Sequence, residues 1–174
     1  KHSDDRRDDL YGNAEAFQLA MLRGMANFYM PSLQTAMNEL SNHDHSRFLT
    51  RTNRRAGRIH TLGSAAASEG VKKGVMREAV VFQMTWVGAP TIYYGDEAGM
   101  CGFTDPDNRR TYPWGKEDSE MIAFHKEMID IHRSYPVLTT GSTCFLAMEH
   151  QFISYGRFDE QEQIIVLINN AEEQ

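Results

Sequence analysis

Cysteine is scarce: Cys101 and Cys144 are the only two in 174 residues. Two thiols cannot build a disulfide framework and fall short of the ligand set of a structural zinc site. They suit a reducing compartment, so a cytoplasmic location is expected. Long apolar runs are missing too. Nothing approaches the roughly 20 consecutive apolar residues that span a bilayer, and no membrane partner is expected. Positive charge is not concentrated: the net charge is −6, which leaves nucleic acid without an electrostatic footprint. The densest basic stretch, Arg47, Arg51, Arg54, Arg55 and Arg58, reads as a solvated loop face. The opening "KHSDDRRDDL" has no signal-peptide pattern. The chain begins without Met and stops at "NNAEEQ", so it is expected to be cut from a longer parent whose targeting it does not reveal.

What is present is an ordinary globular composition, 41% apolar and 24% charged, enough for a real core. Residues 1–12 are polar and read as a frayed lead-in. From Asn13, Ala16, Phe17, Ala20, Met21, Gly24, Met25 and Phe28 recur at helical spacing, and Pro31 is expected to end that helix. "SLQTAMNEL" fits a strand or a helical turn. Residues 49–70 read as loop. A helix is expected over 71–87, with Val75, Ala79, Phe82, Gln83 and Trp86 inward and Gly88 as its stop. "PTIYY" has the β-branched and aromatic character of a buried strand. Another helix is expected from about Asp118 to before Pro136, with Met121, Phe124, Met128, Ile131 and His132 on one face. "STCFLAM", "QFISYGRF" and "QIIVLIN" then read as strands. The alternation predicts α/β with parallel strands, giving way near residues 137–141 to antiparallel β structure.

The chemistry concentrates in "SNHDHSRF", residues 41–48. His43 and His45 lie two apart, which on a strand places them on one face, but the other histidines are scattered and a metal site needs three or four converging ligands. Asn42 or Asp44 suits the cap of a short helix. Asp44 also suits a catalytic carboxylate at the C-terminal end of a barrel strand. A second acidic pair, Asp96–Glu97, closes "GAPTIYYGDE" at residues 88–97; alone it reads as structural, and Tyr93 and Tyr94 as core.

The combination of "SNHDHSRF", "GAPTIYYGDE" and "GFTDPDNRRTYPW" at residues 102–114 resembles the α-amylase superfamily, glycoside hydrolase family 13, in its neopullulanase, cyclomaltodextrinase and maltodextrin-glucosidase branch. The resemblance implies the C-terminal portion of a (β/α)8 TIM barrel, its last two strand–helix units, over residues 1–138. Residues 139–174 would begin an all-β C-terminal domain. It also implies a retaining mechanism with a carboxylate nucleophile and a carboxylic acid. Asp44 matches the family's third carboxylate, which stabilises the transition state, and His43 matches a histidine that binds the same sugar. Asp105 and Arg109 match a pair that grips the glucan further along, and Arg47 is a candidate to orient the carboxylate. Trp114 offers a face for a sugar or for packing.

The chain departs from the family pattern in carrying no "GxRxDxxx" stretch for the nucleophile and no general acid, and a complete barrel needs about 250 residues. The expectation is therefore a piece of an α-glucan hydrolase or transferase, inactive alone, self-associating through uncovered barrel surfaces. A non-catalytic relative used for binding or assembly is the alternative, although an intact Asn42–His43–Asp44 set gives a scaffold nothing. No metal or cofactor is expected in this chain; calcium would belong to upstream residues of the parent. The parent's partner would be an α-glucan oligosaccharide.

Overall fold

Asn13 opens the first regular element. Its side chain accepts a 2.9 Å hydrogen bond from Ala16 N, satisfying one of the free donors of a helix start. Helix α1 then runs Ala14–Met25. The computed structural model describes residues 7–55 and 57–171. Residues 1–6 of the polar lead-in lie outside them, and Asp8–Leu10 of the remainder forms a 3-10 turn. Pro31 does not end a helix. It sits in the first turn of a second one, α2 (Met30–Gln34), where a missing N–H removes no intrahelical bond. The ambiguous segment after it supplies both alternatives, the end of α2 and then strand β1 (Met37–Glu39).

The stretch expected to be loop contains two one-turn helices, α3 (Phe48–Arg51) and α4 (Ile59–Leu62), and a 3-10 turn at Ser64–Ala67. Helix α5 spans Lys73–Thr85, shorter at both ends than its apolar pattern suggested. Its buried residues include Met76, Val80, Gln83 and Met84; Gln83, and Trp86 just past the helix, are buried as expected, whereas Val75, Ala79 and Phe82 are only half-buried. Strand β2 (Ala89–Thr91) pairs with β1. Gly88 precedes it at φ +129°, where an added Cβ would lie 2.7 Å from Ala36 O; only glycine fits both the conformation and the close approach. Helix α6 (Ser119–Ser134) follows the long polar loop. Asp118 caps it, accepting from Met121 N at 3.1 Å, and is itself paired with Lys73 Nζ at 2.6 Å. That hydrogen bond from Lys73 holds the Asp118 carboxyl below its ordinary pKa.

A one-turn helix, α7 (Val137–Thr140), leads into strands β3 (Ser142–Glu149), β4 (Phe152–Phe158) and β5 (Gln163–Asn169). They form an antiparallel sheet in the order β3-β4-β5, aligned Phe145↔Tyr155 and Tyr155↔Val166. The register shifts between Phe145 and Ala147, so Leu146 is the extra residue of a bulge.

The chain divides into two compact units. The first holds residues 39–83 and 91–129. Its buried cluster is Ala66, Ala67 and Phe103, with Cys101 packed against it. The second joins residues 7–38 and 84–90 to those from 130 onward, so the antiparallel strands share a unit with α1 and α2. Its core places Trp86 against Phe145 at 5.1 Å and edge-on to Tyr155 at 4.9 Å. Tyr155 shares a 2.5 Å hydrogen bond with Thr85 Oγ1. Arg157 is fully buried beside it, donating to Thr85 O and Gly141 O, and burial lowers its pKa.

Candidate functional site

Every residue singled out for chemistry in the sequence lies in the first unit. The turn at 42–45 is closed from inside by its own asparagine. Asn42 Oδ1 accepts from Asp44 N at 2.9 Å and from His45 N at 3.1 Å, the local bonding that makes Asn a turn former. Asn42 Nδ2 donates to Glu39 Oε1 at 2.7 Å. Just before the turn, Ser41 Oγ accepts from Phe48 N at 2.9 Å and donates to the Asp96 carboxylate. The result is a loop pinned at both ends whose middle residues point outward. The Asp44 and His43 side chains are 69% and 63% exposed, with His43 Nε2 3.5 Å from Asp44 Oδ1, a contact rather than a good hydrogen bond. Neither residue caps a helix: the next one, α3, has Arg47 at its N-cap with no side-chain cap, and Asn42 closes a turn instead, with the Asp44 carboxylate outside those closing bonds.

Arg47 lies elsewhere. It is fully buried and paired at 3.0 Å with Asp96, whose side chain is 5% exposed. Its Nη1 also donates to Tyr94 O at 2.8 Å and its Nε to Asn108 O at 2.9 Å. The guanidinium packs over the rings of Tyr93 and Tyr94 at 4.6 and 4.8 Å, a cation–π arrangement. Burial pushes the Asp96 carboxyl above its ordinary pKa, while the Ser41 hydrogen bond and the Arg47 charge pull it back. The structural reading of Asp96 fits this geometry, but the tyrosines are not core: Tyr93 is half-buried and Tyr94 is 41% exposed, each resting one face on the Arg47 guanidinium. The basic stretch is not simply a solvated face: Arg47 is interior, and Arg51 is half-buried, donating to Leu40 O. Arg55, paired with Glu69 at 2.6 Å, and Arg58 are exposed as expected, and Arg54 is half-buried.

Asp105 and Arg109 come together. Arg109 Nε donates to Asp105 Oδ1 at 2.5 Å, with both side chains about half exposed. The loop that carries them is braced by residues the sequence reading passed over. Asp107 is buried, accepting from Phe103 N at 2.8 Å and from Arg110 through both oxygens at 2.9 and 2.8 Å. Asn108 is also fully buried, and its Nδ2 reaches Asn42 O and His45 O at 3.1 and 2.8 Å. Gly102 N donates to Thr50 Oγ1 at 2.8 Å, and a Cβ on Gly102 would lie 2.5 Å from Asp107 O. Asn108 gave no signal in the sequence, since both carbonyls it meets lie more than sixty positions away. Trp114 is 81% exposed and its ring sits 4.5 Å from that of Tyr112. Among the described residues, no group of three or more His, Cys, Asp or Glu could hold a metal ion.

The geometry is thus an outward carboxylate and imidazole on one braced loop and an outward carboxylate–guanidinium pair on a second. The family model for the α-amylase catalytic domain matches residues 6–144. The chain belongs to the α-amylase family, glycoside hydrolase family 13. An amylopullulanase from Thermoanaerobacter thermohydrosulfuricus is 38% identical over 128 residues, which is 74% of this chain and 8% of that protein. A cyclomaltodextrinase from a Bacillus species is 33% identical over 162 residues, 91% of this chain and 26% of that protein. A solved cyclomaltodextrinase structure superimposes with a TM-score of 0.71 at 32% identity, covering 86% of this chain and 24% of that one. The chain therefore spans about a quarter or less of the length of these relatives. The fold is the α/β fold of the α-amylase catalytic domain, and its sequence relatives include cyclomaltodextrinases and a neopullulanase, alongside amylopullulanases and a maltogenic α-amylase. No helix among the described residues is long and apolar enough to cross a membrane.

Proposed function

We propose that this chain is the part of a retaining α-glucan hydrolase or transferase that supplies the transition-state-stabilising carboxylate, Asp44, and a sugar-binding arm, Asp105–Arg109. The observation that carries the reading is the loop at 42–45: its backbone is held on two sides, and the carboxylate and imidazole it presents are spent on nothing structural. A fixed anion beside an oxocarbenium-like centre stabilises it most where substrate and protein exclude water. His43 binds the same sugar, Arg109 holds a more distant one, and Arg47 acts on the loop indirectly, through Asn108. The nucleophile and the general acid belong to upstream segments of the parent, whose curated relatives are about four or more times longer than this chain.

In this reading residues 1–138 are the last two strand–helix units of the barrel and 139–174 open an all-β domain. The sheet supports it: Leu146, Ile165 and Leu167 are 53%, 62% and 67% exposed, an apolar outer face of the kind a second sheet covers. Uncovered, that face favours self-association of the isolated chain. The reading places no cofactor in this stretch, leaves calcium to the parent's upstream residues, and puts the parent in a reducing, cytoplasmic compartment.

The test compares the chain with its intact parent on maltoheptaose and cyclodextrin. The parent should release the α-anomer first, seen by proton NMR before mutarotation. The chain should release no sugar above buffer, since retaining cleavage needs the absent nucleophile and acid. A β-anomer from the parent, or chain activity that Asp44→Asn abolishes, would overturn the assignment.

Arg109 should act in binding. In the parent, Arg109→Ala is expected to raise KM for long maltooligosaccharides more than it lowers kcat, the mark of lost uniform binding, and to spare substrates too short to reach it. Equal losses on short and long substrates would make the Asp105–Arg109 pair a loop brace instead.

A further inference from the structure

The turn that presents His43 and Asp44 has two carbonyls facing away from its own closing bonds, those of Asn42 and His45. One side chain serves both. Asn108 Nδ2 lies 3.1 Å from Asn42 O and 2.8 Å from His45 O, so its two N–H bonds bracket the pair of outward residues. The chemistry settles the orientation of the amide: an oxygen in that place would face two carbonyl oxygens, whereas the NH2 group donates to both. Asn108 is fully buried. Its Oδ1 has no hydrogen-bond partner among the described residues, so its contacts to the turn are the bonds its side chain makes in the interior.

Asn108 is itself anchored. It sits in the 3-10 turn Asp107–Arg109. Its backbone carbonyl accepts from Arg47 Nε at 2.9 Å, and Arg47 N donates to Gly102 O at 2.9 Å. Arg47 is fixed in turn by Asp96. The neighbouring Asp107 is locked by Phe103 N and by both contacts from Arg110. The loop at 102–110 is therefore tied to the 41–48 loop at several points, and Asn108 is the point that touches the turn backbone.

We propose that Asn108 is a positioning residue for the His43–Asp44 pair: it holds the turn so that the carboxylate meets the sugar in one geometry. This rests on the reading of Asp44 as the transition-state carboxylate. A displacement of an ångström or less at such a group is enough to cost up to about 10²-fold in rate, so a two-point tie on the backbone that carries it matters to turnover. Asn108 touches no substrate itself; it acts through the turn.

The experiment uses the intact parent enzyme with Asn108→Asp, Asn108→Ala and Asp44→Asn. Asn108→Asp turns an oxygen toward two carbonyls and should perturb most. Asn108→Ala removes the tie without repulsion and serves if the aspartate variant does not fold. Hydrogen–deuterium exchange followed on peptides covering 41–48 and 119–134 separates the turn from the core. Both Asn108 variants should exchange faster at 41–48, because the Asp44 and His45 amides lose their fixed acceptor geometry, with 119–134 unchanged. Both should lose about 10–10²-fold in kcat on maltooligosaccharides, with a smaller change in KM. Unchanged exchange at 41–48 overturns the proposal whatever the activity. Faster exchange with wild-type kcat, in an enzyme that Asp44→Asn inactivates, overturns it as well. If Asp44→Asn leaves turnover normal, the functional reading of Asp44 fails and the proposal, which rests on it, falls too; the exchange result then reports only on the structural tie.

Discussion

Asp44→Asn in the intact parent is expected to lower kcat on maltooligosaccharides by about 10²–10³-fold, the scale of losing one preorganised electrostatic contact to a transition state. The substitution is nearly isosteric, and the turn does not depend on the carboxylate. The bond that closes it on this residue is made by the Asp44 backbone N–H, to Asn42 Oδ1 at 2.9 Å. The side chain's nearest polar contact, His43 Nε2 at 3.5 Å, is exposed and contributes little to stability. Melting temperature should accordingly be unchanged while turnover collapses. A variant with near-normal kcat would show that the negative charge at this position does no work in the reaction; a variant that melts much lower would show a structural role that the bonding pattern does not contain.

The second large effect is on stability. Arg47→Met in the parent is expected to cost about 3–5 kcal/mol, the penalty for leaving one member of a buried pair uncompensated. Methionine keeps much of the apolar volume beside Tyr93 and Tyr94, so the loss falls mainly on Asp96, which is 4% exposed and would keep Ser41 as a hydrogen-bond donor. The carboxyl is already above its ordinary pKa through burial, and Arg47 is one of the groups that restrain it. Removing Arg47 raises it further. In the variant, the folded state would then bind a proton that the unfolded state has released, so stability falls as pH rises from the ordinary carboxylate range through the elevated folded pKa. Urea titrations at pH 4.5 and pH 7.5 should show a larger deficit relative to wild type at the higher pH. Asp96→Asn added to Arg47→Met should recover much of the deficit at pH 7.5, because it removes the stranded charge. A deficit independent of pH, or no recovery, would place the energy of Arg47 in its tyrosine and carbonyl contacts rather than in the ion pair.

Local chemistry was legible where the chain decides it locally. The three strands after Gly141 were read within a residue of their observed ends, because alternating β-branched and aromatic residues interrupted by turn formers specify a meander without help from elsewhere. Helices α5 and α6 were legible from their period. Pro31 was misread because the residue type restricts its own φ and donor but does not say whether a helix ends before it or starts with it. On α5, Gln83 and the following Trp86 are buried as read, but Met76 and Val80 are buried in place of Val75 and Ala79, because all four are apolar and only neighbouring segments choose between them.

The same division runs through the site. The sequence by itself was enough to name the family, and it singled out the side chains proposed to carry the chemistry, His43, Asp44, Asp105 and Arg109, through their match to the family pattern. It also determined the inner closure of the turn, since an Asn–x–x segment bonds to its own backbone. Only the tertiary structure decided that Arg47 turns inward to Asp96 and that the distant Asn108 adds a second tie to the turn backbone beside the one Asn42 makes. The physical reason is that a charge or amide shows its partner only once it is desolvated. In an extended chain Arg47 and Asn108 are satisfied by water and carry no mark of what they will meet, and it is burial that obliges each to find the carboxylate or carbonyl brought to it from a distant part of the chain.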